Sequence, residues 1–160
     1  MPRVLLLAIL LASACSDSSS PSTPTTPSQS ALGFFVTSQT STTGNLGGLA
    51  GADATCQRLA AAVGAGNRTW RAYLSVARDS TNNLPANARD RIGTGPWANA
   101  NGTMIAANLT ELHARSGDAA LFVDERGQRI NGQWTGSPTP NQHDILTGSN
   151  ADGTYVNGLT

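Results

Sequence analysis

Few residues of this chain could take part in acid–base or nucleophilic catalysis. It has two histidines, His113 and His143, and Asp144 follows the second. A histidine oriented by a carboxylate activates a serine hydroxyl in acyl transfer, but no serine stands in a nucleophile elbow. We therefore expect His143 to be a loop residue and His113 to end a helical turn, where its partial positive charge is favourable. Hydrolysis through His143 and Asp144 is the less favoured alternative.

The complete absence of Lys excludes several classes of catalytic and binding site. All ten basic residues are Arg, against eight Asp and two Glu. This excludes Schiff-base lysines, the lysine of a phosphate-binding loop and a lysine general base. The charge is balanced and only 12% of the residues are charged, so no broad basic face for nucleic acid is predicted. We expect the protein not to be an enzyme and not to bind nucleic acid.

Two short patterns bear on metal binding. Thr-Pro-Asn at 139–141 resembles the Glu-Pro-Asn tripeptide through which calcium-dependent lectins hold a sugar, but Thr139 replaces the carboxylate and only Asp144 lies near. Calcium takes about six to eight oxygen ligands, several of them usually carboxylates. Asn-Ala-Asp-Gly at 150–153 resembles half a calcium loop, and turn chemistry explains it without a metal. We therefore predict no metal and no cofactor.

A segment that contains arginine and tryptophan is the candidate contact surface. Trp97 lies in a stretch, 93–99, that has no helical or strand periodicity, and Arg89 and Arg91 come shortly before it. Arg and Trp are enriched at interface hot spots, so Arg89, Arg91 and Trp97 are predicted to form a binding patch. The alternative is that Trp97 fills the core beneath a long loop.

Residues 1–14 have the form of an export signal. Arg3 precedes an apolar run at 4–12 that is shorter than the roughly 20 residues of a membrane span, and small residues follow it. The sequence Leu-Ala-Ser-Ala-Cys at 11–15 resembles a bacterial lipobox, in which the cysteine is acylated and becomes the new N-terminus. We therefore predict lipidation of Cys15.

Two further residues bear on where the protein is localised. Ala12 stands where the lipobox prefers Leu, which leaves secretion after cleavage nearby as an alternative. Ser16, directly after the cysteine, resembles an outer-membrane address. Residues 15–31 are rich in Ser, Thr and Pro and predict an extended tether with no core of its own. We expect a lipid-anchored protein of the outer membrane or cell surface.

Short elements are predicted to position the candidate residues within one domain at 32–160. The apolar residues Ala52, Cys56, Leu59, Ala60 and Val63 recur at helical spacing and predict a helix over 49–63 with Asp53, Gln57 and Arg58 facing outward. We further predict strands at 33–38, 70–76, 103–106 and 119–123, a short helix at 84–92, a helical turn at 108–113 capped by Asn108, and turns at 124–127 and 152–153. Short strands, short helices and long loops indicate an α+β domain.

Several blocks of the sequence resemble one family. They are Phe-Val-Thr-Ser at 35–38, the block from Gly44 to Gln57, the block from Trp70 to Ser75, Trp-Thr-Gly at 134–136, and the block at 147–154. Together they resemble the endostatin-like bacterial lipoproteins, best known from leptospiral surface proteins and long catalogued as a domain of unknown function. The resemblance covers roughly residues 33 to 160.

This resemblance implies a C-type-lectin-like fold with two helices, a small antiparallel sheet and long loops. Members of the family continue past the position of Thr160 into closing strands that carry a cysteine, so the resemblance also implies that the chain is a C-terminally truncated fragment. Cys56 would then be a disulfide cysteine whose partner is missing. The alternative is that Cys56 is a small buried apolar residue on its helix.

The resemblance also implies a function. Leptospiral relatives bind host matrix and complement proteins such as laminin and factor H, which implies a binding or adhesion module that contacts an extracellular macromolecule without catalysis. A structural envelope lipoprotein without a soluble partner is the second hypothesis. A hydrolase that uses His143 and Asp144 is the third.

Overall fold

The computed structural model describes residues 32–115 and 118–158 of the 160-residue chain. The elements in chain order are α1 (Gly48–Ala62), α2 (Ala88–Arg91), β1 (Trp97–Ala98), β2 (Met104–Ala106) and α3 (Leu109–His113). Three helices and a two-stranded antiparallel sheet make an α+β domain, as the sequence predicts. The predicted export signal, Cys15 and the tether lie outside the described residues. No helix in the described ranges is both long and apolar enough to cross a bilayer.

Helix α1 is the predicted helix, displaced by one residue at each end. Gly47 precedes it with a φ of 74°, a left-handed conformation that glycine adopts without strain. At its other end, Gly64 has a φ of 79° and the amide of Ala65 donates to the carbonyl of Ala60 at 2.8 Å, which ends the helix. The prediction that Asp53 and Gln57 face outward is wrong, because Asp53 is only 9% exposed and the part-buried Gln57 side chain accepts from the Trp70 amide. Arg58 is exposed, as predicted.

The small sheet joins β1 to β2, with Trp97 opposite Ala106 and Ala98 opposite Met104. Strand β2 lies within the predicted strand at 103–106. Strand β1 was not predicted, because two residues are too short to show the alternation of a strand.

Three predicted strands do not form ladders. The segment 33–38 makes only an isolated bridge at Val36, beyond the bridge of Leu32 to Ala98. The segment 70–76 makes one bridge, from Val76 to Ala86. Residues 119–122 form a turn that leads to a bridge at Val123. These predictions of strands are wrong, although the first two segments form the walls of the site described below.

The two short helices differ in how well they were predicted. Helix α3 lies within the predicted turn, and the Asn108 side chain accepts from the amide of Glu111 at 3.0 Å as its cap. Helix α2 is shorter than the predicted helix at 84–92, because Ala86 pairs with Val76 in an extended conformation. The predicted turns at 124–127 and 152–153 are present: the amide of Gly127 donates to Asp124, and the amide of Gly153 donates to Asn150.

Eight of the buried apolar residues form two hydrophobic clusters. The first cluster contains Leu32, Ala60, Ala65 and Trp70, with Phe35, Cys56, Val63 and Ala100 packed against it. The second cluster contains Trp97, Ile105, Ala106 and Leu112, with Phe34, Tyr73, Ile92, Leu109 and Phe122 packed against it. Both clusters contribute side chains to the cavity that follows.

Candidate functional site

An open cavity of about 850 Å³, here called the central groove, is lined by side chains of both clusters. Phe35 and Trp70 come from the first cluster, and Tyr73, Trp97 and Phe122 come from the second. Binding sites for small ligands are typically of this volume and have mostly apolar walls with a few polar groups. The groove thus lies where a continuous core would otherwise join the two clusters.

Residues 33–37 form the first wall of the groove. The amide of Phe34 donates to Ala98 at 3.1 Å, and the amide of Val36 donates to Val123 at 2.9 Å. Just beyond the wall, the buried carboxylate of Glu125 accepts from the Ser38 amide at 3.1 Å and from the Ser38 hydroxyl at 2.5 Å. These bonds attach the wall to the 123–125 turn and to β1.

Residues 70–74 form the second wall, and side chains of α1 hold it in place. The Asp53 carboxylate accepts from the Ala72 amide at 2.8 Å, and the Gln57 side chain accepts from the Trp70 amide at 3.0 Å. Four residues of helix rise about 6 Å and two residues of extended chain about 6.6 Å. The side chains at 53 and 57 therefore match the amides at 72 and 70, and they take the place of a neighbouring strand.

One carboxylate at this wall binds two guanidinium groups. Arg91 donates to both oxygens of Asp53 at 2.8 Å and to the Ala72 carbonyl at 2.7 Å, and Arg71 donates to Asp53 at 2.8 Å. Burial alone would raise the pKa of the Asp53 carboxyl, but the hydrogen bonds from Arg71, the Ala72 amide and Arg91 outweigh it and lower that pKa below its usual value. Asp53 is therefore ionised at neutral pH and ties α1 and α2 to the second wall.

The groove carries an excess of positive charge. Arg71 and Arg91 line it, and the described lining residues include no Asp, Glu or His. The single Asp53 charge behind the wall neutralises only one of the two guanidinium groups. The Arg71 side chain is 52% exposed, whereas that of Arg91 is 14% exposed. Arg71 is therefore the groove cation that solvent or a ligand reaches.

Cys56 also lines the groove, half-buried, and no disulfide joins it to another of the described residues. Burial and the nearby Asp53 charge raise the pKa of the Cys56 thiol to about 11. Because the thiolate is the reactive form, Cys56 is a poor nucleophile at neutral pH. Its packing against the first cluster agrees with the alternative in which Cys56 is a small apolar residue of the helix.

Three exposed apolar side chains are among the residues that line the groove. Of the five large apolar side chains that are most exposed in the described residues, three line it: Leu46 at 45%, Ile145 at 51% and Leu146 at 91% exposure. Soluble proteins rarely leave a contiguous apolar surface uncovered unless it contacts a partner.

No family model, characterised protein or solved structure matches this chain.

The structure separates the three residues of the predicted binding patch. Arg91 and Trp97 both line the central groove, but Trp97 is only 5% exposed, so the alternative in which Trp97 fills the core describes its position. Arg89 is not among the lining residues and lies 3.6 Å from the Asp152 carboxylate. An exposed patch that unites Arg89, Arg91 and Trp97 is therefore not present.

The two histidines lie in different environments. The Nδ1 atom of His143 lies 3.0 Å from the carboxylate of the adjacent Asp144, which accepts from it, and within the described residues no hydroxyl or thiol is hydrogen-bonded to the ring. His113 ends α3, as predicted, with its ring centroid 6.1 Å from that of Tyr73. Across residues 32–115 and 118–158, no group of three or more His, Cys, Asp or Glu side chains is placed to hold a metal ion.

Sequence reasoning missed the most connected residue of the site. Asp53 was assigned to the outer face of α1 because a carboxylate in an amphipathic helix usually faces solvent. Its spacing of four from Gln57 was the available signal, since two hydrogen-bonding side chains one helical turn apart can accept from alternate amides of an extended segment.

Proposed function

We propose that this protein is a lipid-anchored extracytoplasmic binding module that contacts an extracellular macromolecule through the central groove and performs no catalysis. The observation that carries the proposal is the groove itself, an open cavity with apolar walls and exposed Leu46, Ile145 and Leu146 at its lining. An apolar surface of this kind, exposed among the described residues, favours a partner. The arginines, the aromatic side chains and the absence of Asp, Glu and His from the described lining favour binding over hydrolysis.

The proposal extends to the family and the finer fold. The sequence blocks at 44–57 and 70–75 that resemble endostatin-like lipoproteins include most of α1 and all of the second wall. On this proposal the α+β domain is C-type-lectin-like. Superposition of an experimental structure on C-type-lectin-like domains tests it, and a different order of elements around α1 would contradict it.

The anchor is tested on the full chain in a bacterial host with a lipoprotein-processing pathway. Metabolic labelling with a radioactive fatty acid is expected to label the wild-type protein, and the Cys15→Ser variant is expected to carry no label. Digestion of intact cells with an external protease is expected to remove the domain if it lies on the surface. Equal labelling of both forms, or an unlabelled wild type, would contradict the anchor.

The binding site is tested with two matched leucine variants. Leu146 is 91% exposed and lines the groove, whereas Leu84 is 60% exposed and is not a lining residue. Immobilised laminin and complement factor H are the probes, because the resemblance implies such ligands. We expect Leu146→Asp to weaken binding at least tenfold and Leu84→Asp to leave it unchanged. Equal effects of the two substitutions would exclude the groove, and no binding by an anchored wild type would favour the structural envelope lipoprotein.

A further inference from the structure

The two walls of the central groove each have one satisfied edge and one unpaired edge. In the first wall the amides of Phe34 and Val36 donate to other segments, while in the described residues the intervening amide of Phe35 has no acceptor. In the second wall the amides of Trp70 and Ala72 donate to side chains of α1.

The second wall has more unpaired backbone groups than the first. Within the described residues, the amides and carbonyls of Arg71 and Tyr73 take part in no hydrogen bond. In an extended chain, residues i and i+2 present their backbone groups to the same side. Arg71 and Tyr73 line the groove, and their unpaired amides and carbonyls are two donors and two acceptors for a segment bound in it. The chain bends around Tyr73, where the Leu74 amide donates to the Ala72 carbonyl at 2.9 Å. The edge ends at Ser75, whose amide donates to the Thr147 carbonyl at 2.9 Å.

An extended peptide that binds as an added strand usually pairs with an unpaired backbone edge that lies beside an apolar surface. In this mode, main-chain hydrogen bonds give affinity, and pockets for alternate side chains give specificity. The Phe35 and Trp70 rings, whose centroids lie 5.0 Å apart, join the two walls into one apolar surface. The exposed Ile145 and Leu146 extend that surface.

The charge of the groove specifies the partner further. Arg71 and Arg91 share the one carboxylate of Asp53, and Arg71 is half exposed. A carboxylate that approaches Arg71 would meet a guanidinium group that keeps unused donors, in surroundings that are mostly apolar, where charge-assisted hydrogen bonds are strong.

We propose that the central groove binds an extended segment of another protein as an added β-strand, paired with the backbone of Arg71 and Tyr73. Apolar side chains at alternate positions of the segment contact the groove, and an acidic side chain or C-terminal carboxylate pairs with Arg71. This inference rests on the proposed binding function and names the class of partner: an acidic, apolar, extended peptide.

The test selects peptides against the full-length chain from a random library of heptapeptides displayed on phage. We expect the selected sequences to alternate apolar residues and to share an Asp or a Glu. The best peptide is then resynthesised in two forms, each with N-methyl groups on one of the two alternating sets of amides. Because strand pairing uses one set of amides, we expect at least one form to bind at least tenfold more weakly.

Matched arginine variants test the charge contact. Arg71→Gln is expected to weaken binding of the selected peptide at least tenfold. Arg78 is exposed and is not among the lining residues, so Arg78→Gln is expected to leave binding unchanged. Circular dichroism of both variants checks that they remain folded. A selected peptide that lacks the carboxylate and binds Arg71→Gln as well as wild type would overturn the charge assignment.

Three results would overturn the strand proposal itself: an absence of selected peptides, binding that neither methylated form weakens, or a dimer in light scattering that Leu146→Asp dissociates. The last result would assign the groove to a second copy of this chain. Failure of the broader binding function would look different, because Leu146→Asp and Leu84→Asp would then have equal effects on macromolecule binding.

Discussion

Asp53 connects three parts of the molecule with one side chain. It lies on α1, binds the guanidinium group of Arg91 at the end of α2, and accepts from Arg71 and the Ala72 amide in the second wall. The Asp53 carboxylate stabilises the fold only in its ionised form, because protonation removes the negative charge that both guanidinium groups bind.

We predict that Asp53→Asn lowers the free energy of unfolding by about 3 kcal/mol at pH 7, because two guanidinium groups lose their buried counter-charge. Urea denaturation followed by tryptophan fluorescence measures it. Asp144→Asn, whose side chain is 86% exposed, is the control and should change stability by less than about 0.5 kcal/mol. Equal effects of the two substitutions would contradict the role given to Asp53.

The pH dependence follows from the same carboxylate. The pKa of Asp53 is lowered in the folded state, so its contribution to stability is present above the ordinary value of 3.8 and is lost as the pH falls through the folded value. Glu125, whose pKa is also lowered because the Ser38 hydroxyl and amide outweigh the effect of burial, acts in the same direction. Wild type should lose stability below about pH 4, and Asp53→Asn should lose less over the same range.

The Cys56 thiol should react slowly with thiol reagents at neutral pH. With a pKa of about 11, roughly 0.1% of the Cys56 thiol is ionised at pH 8. In a Cys15→Ser chain, where Cys56 is the only cysteine, we expect reaction with Ellman's reagent at least tenfold slower than in the same chain unfolded in urea. The rate should rise steeply up to about pH 11. A fast reaction at pH 7 in the folded chain would contradict this assignment.

At the scale of the element, the partners of the backbone hydrogen bonds determine whether a segment with strand-like alternation joins a sheet. The alternation of Trp70, Ala72 and Leu74 resembles that of a half-buried strand. In the second wall, Asp53 and Gln57 occupy the inner edge, and the chain bends where the Leu74 amide donates to the Ala72 carbonyl. Within the described residues, no neighbouring strand pairs with its outer edge. A period-2 pattern reports burial of one face and not the identity of the group that satisfies the backbone.

The cap of α3 gives a test at this scale. The Asn108 side chain accepts from the Glu111 amide, and the Glu111 carboxylate accepts from the Ala107 amide at 2.9 Å. We expect Asn108→Ala to reduce stability by about 1 kcal/mol, because the first turn loses its cap. Asn157→Ala, at an exposed position, is the matched control in thermal unfolding. A Tm shift of the same size in both variants would contradict the cap.

At the scale of the whole molecule, the groove is the space between two cores. Trp70 and Trp97 anchor separate clusters, and both line the cavity. A dye that is apolar and anionic, such as 1-anilinonaphthalene-8-sulfonate, should bind the native protein there. We expect its fluorescence enhancement to fall in Leu146→Asp and to persist in Leu84→Asp. Equal enhancement in the two variants would show that the dye binds elsewhere.

The sequence predicted the elements whose causes are local. Helix α1 follows from apolar residues at helical spacing and from Gly47 and Gly64 at its ends. The Asn108 cap and the 124–127 and 152–153 turns follow from side chains that bond to backbone groups two to four residues away. The candidate site was predicted only in part, since Arg91 and Trp97 reach the groove and Arg89 does not.

By itself the sequence determined the α+β composition, helix α1, the cap of α3, the turns and the absence of lysine chemistry. These depend on residue type and on neighbours within one or two turns of chain. The tertiary structure alone decided that Asp53 faces inward, that two extended segments become walls instead of sheet strands, and that two clusters leave a groove between them. Each of these depends on partners 18 to 87 residues apart, such as Arg71 for Asp53 and Glu125 for Ser38, and no local pattern encodes such a contact.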